Sequence, residues 1–236
     1  MLLPLKESSA DYAHKHNRET PQSILRPFSG NSSQNHMQIT FVFKGMGMRT
    51  EAYKSLELDA YESWSNSNTP RVVQNLSCVL EGWIQRNEKH RRSTKRESIT
   101  MFHGTKAPNM SVRQYMERIY KYTRCSPCCF VIAQIYMDRY FERQGGYLTS
   151  FNVHRLLITT VTVAAKFIDD GYSNGHYARV GGVSTAEMNR MELELLFSLD
   201  FRLFVTTELF CSYCESLYQP VLQHYHTRPI AKKGPL

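Results

Sequence analysis

The chain has 236 residues, of which 42% are hydrophobic and 12% aromatic, enough to bury the core of one main domain. No apolar run approaches the roughly 20 residues of a membrane-spanning helix, and the apolar stretch at the start is too short for a secretory signal. The formal charge of +8 is partly local, because seven Lys or Arg but only two Glu fall between Arg86 and Lys106. This cluster, with RRSTKR at 91–96, is typical of a nuclear-import signal, of a patch for an acidic partner, or of a solvated loop.

Six cysteines without a secretory signal predict reduced thiols in a protein of the nucleus or the cytoplasm. Cys125 and Cys128 form one CxxC pair and Cys211 and Cys214 another, so a zinc site is one interpretation. Core packing is favoured instead, because the two pairs are far apart in sequence and free cysteine packs well in cores. No HExxH, GxSxG, P-loop or GxGxxG motif occurs, which favours a binding protein without cofactor, metal or small-molecule substrate over an enzyme.

Residues 1–69 are rich in Ser, Asn, Thr, His and Gly and show little periodicity, so we predict a largely disordered N-terminal extension. Helical periodicity starts at Pro70, where PRVVQNLSCVLEGWIQRNEKH places its apolar residues on one face. The next helix, SVRQYMERIYKYT (111–123), opens with the capping-box pair Ser111 and Gln114. Its tyrosines and basic residues could stack on and bind nucleic acid, but tyrosines at this spacing more often face the core.

A third helix, SPCCFVIAQIYMDRYFERQGG, has Ser126 as its expected N-cap and a Gly-Gly pair as its stop. It is apolar nearly all round and is therefore predicted to lie in the core. The fourth helix, TSFNVHRLLITTVTVAAKFIDD, is dense in β-branched residues at 158–163. A buried strand is the alternative there, but the length of the segment favours a helix.

The following GYSNGHYARVGG is predicted to be a loop with one helical turn around residues 176–179. STAEMNRMELELLFSLDF then opens with a second capping box, Ser184 and Glu187. The last helix, TTELFCSYCESLYQPVL, should end at Pro220, and the basic tail at 223–236 is predicted to be disordered. Because no strand-rich region competes with these helices, the sequence predicts an all-α domain.

Lys166 follows the most apolar helix of the chain, although lysine is among the residues least often buried. In the simplest interpretation its stem packs while the ammonium reaches water. The functional interpretation places the ammonium at the rim of an apolar surface, where Glu192 orients it and both groups bond a partner. Leu196, Phe201 and Leu203 would then be exposed nearby and form a hydrophobic patch of the kind that marks an interface.

The stretch MSVRQYMERIYKYTRCSPCCFVIAQIYMDRY at 110–140 carries a family resemblance, together with FHGTKAPNM before it and AAKFIDD and MELELLFSLDF after it. These motifs resemble the single-box cyclins of the plant P/U type, which are related to the yeast phosphate-pathway cyclin. The resemblance spans residues 70–222 and implies a five-helix cyclin box at about 111–204 with one flanking helix on each side. It implies a subunit that binds and activates a cyclin-dependent protein kinase, in cell-cycle control or in phosphate signalling.

By motif position, the resemblance implies that Lys166 and Glu192 contact the regulatory helix of the kinase. The adjoining apolar contacts are Phe167, Leu196, Phe201 and Leu203. It also implies a buried Arg–Asp pair between the first two box helices, for which Asp138 matches the acid and Arg113 is chosen as the base, with Arg118 close by. Two other classes stay open: a cyclin-fold transcription or nucleic-acid-binding module, supported by the basic loop and the charge of +8, and a zinc-dependent interaction module.

Overall fold

In a computed structural model, the described residues are 51–59, 69–91, 99–169 and 171–218. Within these ranges the chain forms eight α-helices and no strand, which confirms the predicted all-α architecture of a five-helix core with flanking helices. The helices are α1 (Glu51–Ser55), α2 (Arg71–Arg91), α3 (Val112–Thr123), α4 (Cys128–Gln144), α5 (Val153–Ile168), α6 (Asn174–Gly181), α7 (Thr185–Ser198) and α8 (Thr207–Tyr218).

The folded core begins before the boundary that the sequence predicts. Leu56 and Leu58, in the turn after α1, are 0% and 2% exposed. The backbone N–H of Val72 donates to the carbonyl of Leu56 at 3.1 Å, which ties this turn to the start of α2. The prediction of a disordered extension over 1–69 is therefore wrong for 51–59, where two leucines in a polar segment were too few to show periodicity.

Several other predictions concern residues outside the described ranges and stay predictions. They are the extension before residue 51 and at 60–68, most of the basic stretch at 91–96, the stop at Pro220 and the tail at 223–236.

The centre of the bundle is built by α4 and α5. Every residue from Cys128 to Met137 in α4 and from Leu156 to Ala165 in α5 is buried. The helix α4 begins one residue later than predicted, with Pro127 at the N-cap position and no side-chain bond from that residue. The Oγ of Ser126 still accepts a hydrogen bond from the N–H of Cys128 at 3.3 Å. A helix buried on all sides needs apolar residues on all sides, and both sequences supply them.

Three buried threonines explain why the β-branched segment of α5 forms a helix. The hydroxyls of Thr159, Thr160 and Thr162 donate to the carbonyls four residues earlier at 2.6–2.8 Å. Each of these three hydroxyls is therefore satisfied within the helix itself. A helix thus buries this segment without the partner strands that a sheet would require.

Both predicted capping boxes are present. In α3 the Oγ of Ser111 accepts from the N–H of Gln114, and in α7 the Oγ of Ser184 accepts from the N–H of Glu187, with the reciprocal bonds also formed. Hydrogen bonds from the backbone and hydroxyl of Ser184 lower the pKa of Glu187. The apolar stripe of α7 and of the residue that follows it is buried: Met188, Met191, Leu195 and Leu199.

The helix α6 has eight residues where the sequence predicts one turn. It is fixed at its end by α3, because the Tyr115 hydroxyl donates to the Gly181 carbonyl at 3.0 Å and Arg118 Nε donates to the Val180 carbonyl at 2.8 Å. Gly181 also approaches α5 closely, since a Cβ at this position would lie 2.8 Å from Ile158 Cγ1. These contacts hold α6 against α3 and α5.

A partly buried histidine ties α5 to the segment before α3. His154 Nε2 donates to the Met110 carbonyl at 2.9 Å, and the ring meets Tyr115 edge-on with centroids 4.7 Å apart. His154 Nδ1 is buried and accepts no hydrogen bond. Burial lowers the pKa of His154 below its ordinary 6.5, so the folded chain favours the neutral ring.

The free energy of unfolding is therefore expected to fall as the pH drops below about 6.5, because the unfolded chain takes up a proton that folded His154 resists. The variant His154→Gln keeps an N–H donor for Met110 and cannot be protonated. Urea unfolding at pH 7.5 and pH 5.5 should show a larger loss for the wild type than for this variant. Equal losses would mean that His154 is not the group responsible.

Candidate docking site

Lys166 and Glu192 meet at one edge of the bundle, where Lys166 Nζ lies 2.7 Å from Glu192 Oε1. Lys166 occupies the last turn of α5, where the negative end of the helix dipole favours a cation. The Lys166 side chain is 33% exposed and that of Glu192 14% exposed. The ammonium is thus oriented by the carboxylate and still open to a hydrogen-bond acceptor from outside.

The second carboxylate oxygen of Glu192 is held from α6. Asn174 Nδ2 donates to Glu192 Oε2 at 2.6 Å and to Asn189 Oδ1 at 2.8 Å. Nothing in the sequence pattern selects Asn174, because it stands in a segment predicted to be mostly loop and its partner Glu192 is 18 residues away. The ion pair is therefore part of a small network shared by three helices.

Of the four predicted apolar contact residues, three reach the surface and one does not. Phe167 and Phe201 are about half exposed, and Leu203 is partly buried against the core. Leu196 is only 5% exposed. The prediction that Leu196 is exposed is wrong, because it lies beside Leu195 on the side of α7 that packs into the bundle.

Further exposed apolar residues were missed by sequence reasoning. Leu193 and Phe197, one turn apart on α7, are 50% and 63% exposed, and the Phe197 ring meets that of Phe201 edge-on at 5.3 Å. Neither residue belongs to the buried apolar stripe of α7. An apolar residue outside that stripe is therefore the sequence pattern that could have predicted an exposed apolar surface. We call the set of exposed residues the apolar face: Phe167, Leu193, Phe197 and Phe201.

The backbone that presents Phe201 has an unusual conformation. Asp200 and Phe201 both have left-handed φ angles, 53° and 54°, which cost an L-residue about 1–2 kcal/mol each. The N–H of Phe201 donates to the Leu196 carbonyl and that of Asp200 to the Phe197 carbonyl, the two bonds of a Schellman motif. The end of α7 therefore turns sharply at the residue whose ring it exposes.

Side chains from α4 hold this turn in place. Arg139 donates to the carbonyls of Arg202 at 2.7 Å and Phe204 at 3.1 Å. The Tyr136 hydroxyl donates to the carbonyl of Leu203 at 2.8 Å. Three consecutive contacts with a buried helix fix the segment, so the Phe201 ring is presented by a rigid support.

The predicted ion pair between Arg113 and Asp138 is wrong. Arg113 lies on the solvent side of α3, where its Nε contacts Glu117 Oε1 at 3.0 Å. Asp138 accepts a hydrogen bond from the Tyr213 hydroxyl of α8 at 2.6 Å. The alternative base, Arg118, donates to carbonyls at the end of α6 instead. Position along the helix did not indicate which way each side chain points.

All six cysteines are free thiols. Burial raises the pKa of Cys128 to about 12 and that of Cys129 well above its usual value, and the Cys129 thiol donates to Asp169 Oδ2 at 3.1 Å. Protonated thiols are poor metal ligands. In the part of the chain that the structure describes, no group of three or more His, Cys, Asp or Glu could hold a metal ion.

Most of the α3 side chains that could have bound nucleic acid make contacts within the protein instead. Tyr115 is buried, and Arg118 is bound to backbone carbonyls. Tyr122 is exposed, with Lys121 Nζ 5.4 Å from its ring centroid. One exposed tyrosine beside one lysine is much less than a stacking platform needs.

Within the described residues, a helical bundle exposes an apolar face and an oriented ion pair, features typical of surfaces that bind another protein. The model of the Cyclin family matches residues 64–203. The chain is 49% identical over 194 residues to Cyclin-P3-1 of Oryza sativa subsp. japonica, a match covering 81% of this chain and 82% of that protein. It is 52% identical over 157 residues to Cyclin-U1-1 of Arabidopsis thaliana, covering 65% and 75% respectively.

The chain belongs to the cyclin family, and the predicted resemblance to plant cyclins of the P and U types is confirmed. Among the described helices, none is long and apolar enough to cross a membrane.

Proposed function

We propose that this chain is the regulatory subunit of a cyclin-dependent protein kinase, which it binds and activates through the ion pair and the apolar face. The observation that carries the proposal is the 2.7 Å contact between Lys166 and Glu192 beside exposed Phe167, Phe197 and Phe201. The resemblance implies the same two positions as the contacts with the regulatory helix of the kinase. Their contact in the free chain supports this proposal, because neither side chain would need to move to meet the kinase.

The ion pair supplies directional bonds to the kinase. Lys166 Nζ uses one of its three hydrogens on Glu192, which leaves hydrogens for carbonyl oxygens of a docked backbone. Hydrogen bonds from a charged group are roughly twice as strong as neutral ones. Because Glu192 already orients the ammonium, little side-chain freedom of Lys166 remains to be lost on binding.

The apolar face supplies most of the binding free energy. Large exposed aromatic rings on a rigid support are the side chains that dominate protein interfaces. Phe197 and Phe201 already contact each other in the free chain, so the kinase meets a preformed surface. Removing these rings from water drives association, while the ion pair sets orientation.

Activation follows from binding one kinase conformation better than another. ATP, magnesium and the phosphoryl-transfer groups belong to the kinase, whose regulatory helix must bring its Glu to the ATP-binding Lys. A subunit that fits the inward position of that helix shifts the kinase towards its active state. Cell-cycle control and phosphate signalling, in the nucleus or the cytoplasm, are the settings that this proposal covers.

The double variant Lys166→Ala/Glu192→Ala is expected to lose kinase binding while remaining folded. Losing the bonds of an interfacial charged pair costs a few kcal/mol of binding free energy, so co-purified kinase should fall at least tenfold. Removing both charges together leaves neither one unpaired, so thermal unfolding should change little. The measurement is co-purification of the tagged chain from a plant extract, with kinases identified by mass spectrometry.

The matched control is Arg113→Ala/Glu117→Ala, which removes an exposed ion pair of similar length from α3. It should retain the kinase. Retention of the kinase by the Lys166→Ala/Glu192→Ala variant would show that the docking surface is elsewhere. If the wild type captures no kinase, the proposed function is wrong, and salt-dependent binding to DNA becomes the next measurement.

A further inference from the structure

We propose that the connection between α5 and α6 contains two positioning residues for the ion pair, Gly171 for Lys166 and Asn174 for Glu192. The inference rests on the proposed function, because it concerns the same pair. It assigns a role to two residues that the cyclin motifs in the sequence did not select.

Gly171 lies directly against the stem of Lys166. A Cβ at position 171 would lie 2.9 Å from the N, Cα and Cγ atoms of Lys166. This is well inside the contact distance of about 3.5–4.0 Å between carbon atoms. Two of the three contacted atoms are backbone and cannot move without moving the end of α5. Only glycine lets the chain return this closely, which places position 171 directly against the Lys166 stem.

Asn174 holds the carboxylate from the opposite side. Its Nδ2 group has two hydrogens, one directed to Glu192 Oε2 at 2.6 Å and one to Asn189 Oδ1 at 2.8 Å. The amide orientation is settled by chemistry, because a reversed amide would place two acceptor oxygens 2.6 Å apart. Glu192 Oε2 is thereby occupied, and Oε1 is left for Lys166.

The hydrogen bond from Asn174 is needed to orient the Glu192 carboxylate, because the ion pair with Lys166 alone orients it only weakly. Exposed lysine–carboxylate pairs lose side-chain entropy and are screened by solvent, and Lys166 is one-third exposed. The bond from Asn174 is charge-assisted and short, so it limits the rotation of Glu192. Without it, the carboxylate could turn away and release the ammonium.

The donors of the Asn174 amide are what suit it to this position. Nδ2 makes both of its hydrogen bonds to side chains of α7, those of Glu192 and Asn189. An ionised aspartate would offer only acceptors there, and alanine would offer neither donor nor acceptor.

Asn174→Asp tests the role most sharply, because it keeps the shape of the side chain and turns the donor into a second carboxylate facing Glu192. Kinase affinity should fall about tenfold or more, and Asn174→Ala should show a smaller loss. Asn75→Ala is the matched control, since its amide also donates to a carbonyl, that of Leu217, away from the ion pair. This control should bind the kinase as the wild type does.

A double-mutant cycle separates positioning from a general effect on the fold. If Asn174 acts through Glu192, adding Asn174→Ala to Glu192→Gln should weaken kinase binding no further. Additive losses would overturn the inference, and so would full kinase affinity of both Asn174 variants.

A second readout needs no kinase. The ¹⁵N-labelled ammonium of Lys166 should give an NMR signal in the wild type that shifts or broadens on Asn174→Ala, on Gly171→Ala and on Glu192→Gln. An unchanged Lys166 signal in the Asn174 and Gly171 variants would overturn the inference even in the absence of a known partner. Failure of the wild type to bind any kinase would instead refute the proposed function.

Discussion

Replacing Phe201 with alanine is expected to weaken kinase binding about thirtyfold or more, the loss typical of an interface hot spot of at least 2 kcal/mol. The ring is half exposed, so its removal leaves no cavity in the core. It is also presented by a turn that Arg139 and Tyr136 fix, so the free chain already has the bound shape. Calorimetric titration of the purified chain with the kinase would measure the loss.

Phe151→Ala is the control for this experiment. Phe151 is also an exposed phenylalanine, but it precedes the start of α5, at the opposite end of that helix from Lys166. Its replacement should leave kinase affinity unchanged. Equal losses for the two variants, or none for Phe201→Ala, would place the binding surface away from the apolar face.

Leu56→Ala is expected to lower the free energy of unfolding by about 2–5 kcal/mol, the usual cost of truncating a buried leucine. The Leu56 side chain is 0% exposed and its carbonyl bonds to the N–H of Val72. The substitution therefore removes contacts from the core and leaves a cavity behind. Urea denaturation followed by circular dichroism would give the difference in free energy.

Lys54→Ala, two residues earlier and exposed, should change the free energy of unfolding by less than about 0.5 kcal/mol. If Leu56→Ala were equally mild, the turn after α1 would not unfold together with the rest of the domain. The sequence boundary at residue 70 would then be the better description of where the cooperative unit begins.

The helices were predictable because their signals are local. The spacing of apolar residues identified α2, and the pairs Ser111–Gln114 and Ser184–Glu187 marked the starts of α3 and α7, as both capping boxes in the structure confirm. By contrast, α6 depends on bonds from side chains of α3 to the carbonyls at its end. Such long-range contacts leave no periodic pattern, which is why only one helical turn was predicted.

The candidate docking site also combines residues that the sequence predicts with residues that only the structure identifies. Lys166 and Glu192 came from their motif positions, and the structure brings them together. The burial of Leu196 was misjudged because adjacent residues on a helix differ by about 100° in direction, so Leu196 packs inward while Phe197 is exposed. Asn174 was missed because its role depends on a bond to a residue 18 positions away.

The predicted ion pair between Arg113 and Asp138 was wrong for a related reason. Arg113 and Asp138 were matched by motif, but a motif position fixes the residue and not the direction of its side chain. Arg113 pairs within its own helix with Glu117, and Asp138 accepts from Tyr213 of α8. Directions of side chains on two crossing helices follow from packing, which only the structure supplies.

The most direct test of kinase activation is the rate at which a purified cyclin-dependent kinase phosphorylates a histone-type substrate as this chain is added. The kinase should be one that co-purifies with the wild-type chain. We expect the rate to rise to a plateau with the wild type and to stay near the basal rate with Lys166→Ala/Glu192→Ala at equal concentrations. A rate that the wild type does not raise, or that both chains raise equally, would contradict activation through this ion pair.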